Sequence, residues 1–294
     1  MTLTCSTASA TETPISVLIV DGFSNHDWAQ TTSVVTAILD RTDLFTVSHS
    51  TLLPNQALAD SDWKPVFSAY DVVIQNTNNI QAKELTWPRA AQIALENYVA
   101  DGGALYILHS ANNAFPEWDA YNQMIGLGWR RPDQGRAIAF DSAKAEQIIP
   151  IGEGRNTYHG PRHDTLVEKI TAHPIHSGYP EQWLSADMEL YKYARGPAEN
   201  ITVLSIAYDP DSDLSWPVDW LIRYEGGTVY NSSMGHLWKG DTYPEGFRCI
   251  AFETTLIRAI EWLGSGKVTY ALPAEFPGAT QTSLRPTDYY SRGN

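Results

Sequence analysis

The feature that most restricts the fold of this chain is a short apolar run, Ile15 to Val20, which ends in Asp21 and Gly22. Such a run is typical of a strand that is buried on both faces of a parallel sheet. A carboxylate and a glycine directly after the strand indicate a functional loop at its carboxyl end. The sequence therefore predicts an α/β protein whose first element is a buried parallel strand.

Strand and helix patterns alternate after this run. The predicted elements are a helix over Thr31–Asp40, strands over Phe45–Ser48 and Asp71–Gln75, a helix over Arg89–Ala100 and a strand over Ala104–Leu108. This alternation predicts a doubly wound, mostly parallel sheet with helices on both faces. Ligands of such sheets bind beyond the carboxyl ends of the strands. Function is therefore expected in the loops at 21–28, 76–80 and 109–115.

The second half of the chain continues the same domain. Its predicted elements are strands near Ile201–Tyr208, Trp220–Tyr224 and Thr228–Asn231, and a helix over Arg248–Leu263. No linker or repeat interrupts them, so a single α/β domain is expected over residues 15–271. Residues 1–14, rich in Ser, Thr and Ala, are expected to be a disordered leader, and residues 272–294 a surface tail.

The net charge of −14 among 294 residues argues against partners that carry negative charge. Nucleic acids and anionic membranes would be repelled, so neither is expected as a partner. An uncharged small molecule fits better. The 10 Trp and 15 Tyr residues could supply aromatic platforms for a carbohydrate, or equally the interface of a homo-oligomer.

The compartment stays open on sequence alone. Cys5 and Cys249 are far apart, so a disulfide framework is not expected. No apolar run approaches the roughly 20 residues that span a bilayer, so a soluble protein is expected. The stretch from Thr4 to Pro14 could be the remnant of an export signal, which leaves cytoplasmic and exported locations both open.

The loop after the first strand carries four polar or aromatic side chains, at Asn25, His26, Asp27 and Trp28. One interpretation assigns them to a site, with Asp27 orienting imidazoles, Asn25 and His26 binding substrate and Trp28 stacking on it. The other interpretation is structural. Asn25 or Asp27 would cap the following helix and Trp28 would pack against it.

The loop at 109–115 lies where this fold class presents a nucleophile on a sharp strand-to-helix turn, and here the position holds His109 and Ser110. The glycines expected around a nucleophilic serine are missing, so Ser110 and Asn112 are assigned to substrate binding. His109 is the first choice as general base, with an orienting hydrogen bond as the structural alternative.

Further candidates come from later segments. His159, Arg162 and His163 lie on a loop shaped by Gly and Pro, and Glu189 and His236 follow predicted strands or loops. His163 or His236 is expected to be the catalytic acid, and His159 and Arg162 to bind substrate. No cofactor is required by the sequence. His26, His109 and His236 are nevertheless candidate zinc ligands, although no HxH or HExxH spacing supports a metal.

These residues carry a resemblance to a known family. The segments NHDW at 25–28, LHSANNAF at 108–115, HGPRH at 159–163 and HPIHSGYP at 173–180 resemble the ThuA-like (trehalose utilisation) family, as do Glu189 to Tyr191 and Gly235-His236. The resemblance covers roughly residues 15–277. It implies the class I glutamine amidotransferase fold with a flavodoxin-like sheet. Those enzymes carry a catalytic cysteine where this chain has His109 and Ser110, so amidotransferase chemistry is not implied.

Three functions are open at this point. The resemblance suggests a hydrolase, lyase or isomerase that acts on a glycoside or a 3-keto-sugar derivative through acid–base catalysis by histidine. The second is a non-catalytic carbohydrate-binding or regulatory protein that kept the fold without the nucleophile. The third is a metal-dependent hydrolase, in which a bound ion activates water.

Overall fold

The computed structural model describes residues 13–59 and 61–290, which form a sheet of 12 strands with helices on both faces. The strands are β1 Ile15–Asp21, β2 Phe45–Thr51, β3 Val72–Gln75, β4 Ala104–Leu108, β5 Arg136–Phe140, β6 Glu146–Ile149, β7 His163–Lys169, β8 Gln182–Met188, β9 Arg195–Gly196, β10 Ile201–Asp209, β11 Leu214–Tyr224 and β12 Gly227–Ser232. The helices are α1 Trp28–Leu39, α2 Pro54–Leu58, α3 Arg89–Ala100, α4 Asp119–Ile125, α5 Glu245–Arg248 and α6 Ile250–Ser265. Among these described residues, no helix is both long and apolar enough to cross a membrane.

The sheet is mixed. Its order is β2-β1-β3-β4-β12-β11-β10-β7-β8, with β5 paired to β11 and carrying β6 and β9. The strands from β2 to β12 run parallel, and those from β12 to β8 run antiparallel. The α/β prediction is confirmed, but the prediction of a mostly parallel sheet is wrong. The β11–β12 connection is a tight turn at residues 225 and 226, and a tight turn can only return the chain antiparallel.

Two apolar layers enclose the sheet. Buried side chains of α1 and α6 pack on one face, and those of α3 and α4 pack on the other. The central strands β1, β3 and β4 are buried on both sides, which explains their apolar composition. Their loops consequently emerge together at one edge of the sheet, as the alternation predicts.

Five strands, β5 to β9, were not predicted from the sequence. They lie toward the antiparallel side of the sheet. The strands β6, β7 and β8 are partly solvent-exposed, and β6 has no fully buried residue, whereas β5 and β9 are buried but short. Half-exposed strands lack a continuous apolar run, so their pattern is weak. The predicted helix over Arg248–Leu263 is also divided, because Cys249 has an extended backbone between α5 and α6.

Gly22 brings the loop after β1 against the segment that follows β2. Its φ is +128°, and a β-carbon there would lie 2.0 Å from the carbonyl oxygen of Leu52. Only glycine permits this approach. The loop at 22–28 is therefore held close to the sheet edge from its first residue.

The predicted tail at 272–294 is anchored in its described part, up to residue 290. Arg285 binds the carboxylate of Glu253 with contacts of 2.7 and 3.2 Å, and the buried Tyr290 hydroxyl donates to the same carboxylate. These contacts tie the segment to α6, so it belongs to the folded unit rather than lying free on the surface. Residues 1–12 of the predicted leader, including Cys5, lie outside the described residues.

A fully buried contact between a histidine and an aspartate lies in the antiparallel half of the sheet. His176 Nε2 is 3.0 Å from Asp219 Oδ2, and both side chains are shielded from solvent. The hydroxyls of Ser205 and Tyr230 donate to the same carboxylate. Burial alone would raise the pKa of Asp219, but His176 and these hydrogen bonds outweigh burial and hold the pKa below its usual value. The pair fixes the turn at Pro174–His176 to β11.

Candidate functional site

Four side chains from distant parts of the sequence converge at the carboxyl edge of the parallel strands. His26 follows β1, His109 follows β4, His236 follows β12, and Glu189 follows β8. One ligand-type atom from each of the four lies within 4.8 Å of the others, and all four residues are buried. We call these residues the His–Glu cluster. The loops after β1, β4 and β12 and the segment after β8 therefore meet at this edge.

The backbone of His109 is left-handed, with φ of +39°. This conformation is uncommon for residues other than glycine and is often found at functional sites. It turns the chain sharply out of β4 into the short 3-10 segment His109–Asn113. The turn aims the imidazole at the cluster, where its Nδ1 lies 2.7 Å from the carbonyl oxygen of Ser233.

The contact with Ser233 determines which nitrogen of His109 carries hydrogen. A carbonyl oxygen can only accept, so Nδ1 donates, and in the neutral imidazole Nε2 keeps a lone pair. The Nε2 atom is 3.1 Å from the Tyr191 hydroxyl and 3.6 Å from Glu189 Oε2. His109 therefore presents its lone pair to the His–Glu cluster.

A chain of hydrogen bonds fixes His26 in the same way. The backbone N–H of Ile80 donates to Asn78 Oδ1 at 2.9 Å, which turns the amide nitrogen of Asn78 toward Asn25. This nitrogen donates to Asn25 Oδ1 at 2.7 Å, and His26 Nδ1 lies 3.0 Å from that oxygen. Because the oxygen accepts, His26 Nδ1 donates. The Nε2 lone pair of His26 is left buried without a partner.

His236 differs from the other two imidazoles. A guanidinium nitrogen of Arg162 lies 3.0 Å from His236 Nδ1, and since arginine only donates, this nitrogen of His236 accepts. The hydrogen of neutral His236 is then on Nε2, 3.4 Å from Glu189 Oε1. The same guanidinium nitrogen also binds Asp241 at 2.8 Å and lies 3.5 Å from Asp187.

Burial and mutual repulsion keep His26 and His236 neutral. Burial, followed by the neighbouring imidazoles, lowers the pKa of His26 and that of His236 to about 2. Burial would raise the pKa of Glu189, but its interactions with His109 and the neighbouring imidazoles outweigh burial and lower that pKa. At neutral pH, His26 and His236 are therefore uncharged and Glu189 is a carboxylate. The predicted role of His236 as an acid has no support, because a group with this pKa has no extra proton to give.

Three more of the predicted site residues lie against the cluster. His159 Nε2 is 3.4 Å from Glu189 Oε1, and this side chain is 37% exposed, so it connects the cluster with solvent. Asn25 and Arg162 contact His26 and His236 as described above. This group agrees with the predicted substrate-binding set.

The remaining predicted residues are used differently or lie elsewhere. Asp27 caps α1, and its carboxylate accepts from the backbone N–H of Gln30 at 3.0 Å. Trp28 is the first residue of that helix. His163 is exposed at the start of β7, with Nδ1 3.0 Å from the carbonyl oxygen of Pro161. Ser110 and Asn112 are buried, and neither belongs to the His–Glu cluster.

The capping contact predicts that replacing Asp27 lowers the stability of the protein. Asp27→Ala should lower the free energy of unfolding by about 1 kcal/mol, as for other N-cap replacements. Urea denaturation would measure this, with Asp27→Asn as the matched control, since asparagine caps comparably. If Asp27→Ala keeps the wild-type free energy of unfolding but loses ligand or ion binding, the result would instead support the catalytic interpretation.

Sequence reasoning missed two residues beside the cluster. Tyr191 contacts His109, and the signal for it was available, because Glu189 and Tyr191 are two apart in an extended segment and so point the same way. Trp238 stacks on His236 at 6.1 Å with an angle of 8° between the rings, meets His26 edge-on at 4.9 Å and is 41% exposed. Trp238, not Trp28, has the open ring face next to the site.

Comparison with known proteins identifies the relatives of this chain. The sequence matches the family described as ThuA, trehalose utilisation, over residues 16–263. The chain belongs to the ThuA family. No curated protein sequence matches it. The family description points to a role in carbohydrate metabolism.

A solved structure of a ThuA-like protein agrees with membership of the ThuA family. A ThuA-like protein from Parabacteroides merdae ATCC 43184 is 28% identical, with a TM-score of 0.85 over 94% of this chain and 99% of that one. A cytoplasmic protein from Salmonella typhimurium is 12% identical, with a TM-score of 0.45 over 84% and 98% of the two chains. A β-galactosidase from Halorubrum lacusprofundi is 14% identical, with a TM-score of 0.44 over 91% of this chain and 32% of that one.

Proposed function

We propose that this ThuA-family protein is an enzyme acting on a glycoside or 3-keto-sugar derivative, and that the His–Glu cluster holds a divalent transition-metal ion. The observation that carries the proposal is the buried, unpartnered Nε2 lone pair of His26, aimed at other potential ligands. A buried acceptor without a partner is costly, so such atoms call for an explanation. A bound cation would be a partner for the lone pair of His26 Nε2.

The ligand types and their surroundings fit an ion such as zinc or manganese. Imidazole nitrogens and a carboxylate are common ligands of these metals. His109 and His26 also have the outer hydrogen bonds usual for metal-binding histidines, since each donates from Nδ1 to an oxygen. His236 could also bind the ion through Nε2. Arg162 would then have to release His236 Nδ1 and keep only its contacts with Asp241 and Asp187.

When bound, a divalent ion would polarise a substrate oxygen. Proton transfer then falls to His159, because the other three imidazoles would serve as ligands. His159 Nδ1 lies 2.6 Å from the carbonyl oxygen of Gly160 and must donate, so Nε2 can accept a proton. A keto group acidifies the adjacent C–H. His159 Nε2 would take that proton while the electron pair of the bond moves onto the carbonyl oxygen, and the return of this pair would expel the glycosidic oxygen from the carbon next to the deprotonated one.

The charge and the exposed tryptophan beside the His–Glu cluster suit an uncharged sugar. Arg162 is already in contact with two carboxylates, which leaves little positive charge for a phosphate. The exposed face of Trp238 offers a surface on which a sugar ring can stack. In the metal-free alternative, His109 Nε2 would be the base. The third alternative, carbohydrate binding without turnover, would need only Trp238, Arg162 and Asn25.

Elemental analysis tests the proposed ion site. After incubation with zinc or manganese and desalting, the wild-type protein should retain about one ion per chain. His26→Ala should retain much less. His163→Ala is the matched control and should retain as much as wild type, because His163 lies outside the cluster. Full retention by His26→Ala would contradict the site.

Turnover separates the remaining alternatives. The probes are 4-nitrophenyl glucoside and its 3-keto derivative, with and without the ion. Release of nitrophenol only with the ion supports the proposal. Release that is unaffected by chelation supports catalysis by imidazole alone, and saturable binding of the probes without release supports a binding protein.

A further inference from the structure

Tyr191 is a buried polar residue beside the cluster that the proposed ion site does not use. It is 1% exposed, and its ring lies 5.2 Å from that of His109. Trp129 meets it edge-on at 5.4 Å. The hydroxyl is thus held rigidly beside the atom of His109 that faces the cluster.

The contact with His109 orients the Tyr191 hydroxyl. In neutral His109, Nδ1 donates to Ser233 and Nε2 can only accept, so the hydroxyl hydrogen points to His109 Nε2 at 3.1 Å. The hydroxyl hydrogen is therefore directed toward the cluster.

His109 Nε2 has a single lone pair, so it cannot accept from Tyr191 and bind an ion at the same time. When the ion is bound, the hydroxyl hydrogen must find another acceptor next to the same atom. Two acceptors can be there, an oxygen of the bound substrate or Glu189, whose Oε2 is 3.6 Å from His109 Nε2. Glu189 would itself be an ion ligand, which leaves the substrate oxygen as the better candidate.

We propose that Tyr191 is a catalytic residue that donates a hydrogen bond to the substrate oxygen on which negative charge develops. This inference rests on the proposed function. Because the donor is oriented before substrate arrives, no reorganisation is needed as the charge forms. The hydroxyl keeps its hydrogen and acts by stabilising charge, while His159 moves the proton.

Tyr191→Phe tests the inference with two readouts, because it removes the hydroxyl and keeps the ring. The kcat for 4-nitrophenyl 3-keto-glucoside should fall about 10²- to 10³-fold, as when one oxyanion donor is removed. Zinc affinity should rise roughly 2- to 10-fold, because a competing hydrogen bond on His109 Nε2 is lost. Tyr193→Phe is the matched control and should change neither quantity, since Tyr193 packs on Trp216 and Tyr158.

The failures of the two proposals can be told apart. If the wild type binds no ion or leaves the probe unchanged, the proposed function is contradicted, and the inference with it. If the wild type binds an ion and turns over the probe, but Tyr191→Phe has unchanged kcat, only the role of Tyr191 is contradicted. Weaker zinc binding in Tyr191→Phe would mean that the hydroxyl turns to Glu189, which also contradicts the role.

Discussion

Glu189→Gln should weaken zinc or manganese binding by on the order of 100-fold or more, because changes in outer-shell partners alone cost roughly 10- to 100-fold. Glu189 is the one carboxylate of the His–Glu cluster. The replacement removes the negative charge of Glu189. The amide nitrogen of the glutamine would also donate to lone pairs such as that of His109 Nε2, which is 3.6 Å from Glu189 Oε2. Competition with a coloured chelator would measure the affinity.

The matched control is Glu181→Gln, which makes the same chemical change. Glu181 is 80% exposed and pairs with Lys169, so its replacement should leave ion binding unchanged. Circular dichroism would check that both variants fold. An ion affinity in Glu189→Gln within a few-fold of wild type would mean that Glu189 does not bind the ion.

Asp219→Asn should lower the free energy of unfolding by about 3 kcal/mol, because it leaves buried donors that face Asp219 without their acceptor. The replacement removes the charge opposite His176 and puts an amide donor where Ser205 and Tyr230 also donate. Denaturation in urea would measure the change. Asp211→Asn is the control, since Asp211 is 75% exposed and should matter little.

The same pair predicts a pH dependence of stability. The pKa of Asp219 is lower in the folded protein than the value of about 3.9 expected for unfolded chains. A carboxyl group with a depressed pKa stabilises the fold above the unfolded pKa, and this contribution is lost as the pH falls through the folded value. Wild type should therefore lose stability more steeply than Asp219→Asn below about pH 4. Parallel curves would contradict this.

The parallel half of the fold could be predicted from sequence because its signal is local. The strands β1, β3 and β4 are buried on both faces, so burial appears directly as an apolar run. The helix over Arg89–Ala100 and the strand over Ala104–Leu108 have the predicted bounds. The strands β6, β7 and β8 carry no such run, because they are partly exposed, and β5 and β9 have only four and two buried residues.

Part of the site could be predicted for a related reason. Polar side chains directly after buried strands have few structural uses, so His26, His109 and His236 were identifiable as candidates. Asp27 and Glu189 could not be told apart in this way. Both are carboxylates in loops, but one caps α1, and the other meets three imidazoles from distant segments only in the folded chain.

The sequence by itself determined the α/β class, the ThuA family and the sheet edge at which His26, His109 and His236 lie, because these depend on local patterns and the order of motifs. Only the tertiary structure decided which residues meet and which nitrogen of each histidine is free. His109 takes its tautomer from Ser233, and His26 takes its tautomer through Asn25 and Asn78. Hydrogen bonds between distant segments leave no trace in local sequence, and here they determine the chemistry that the site can perform.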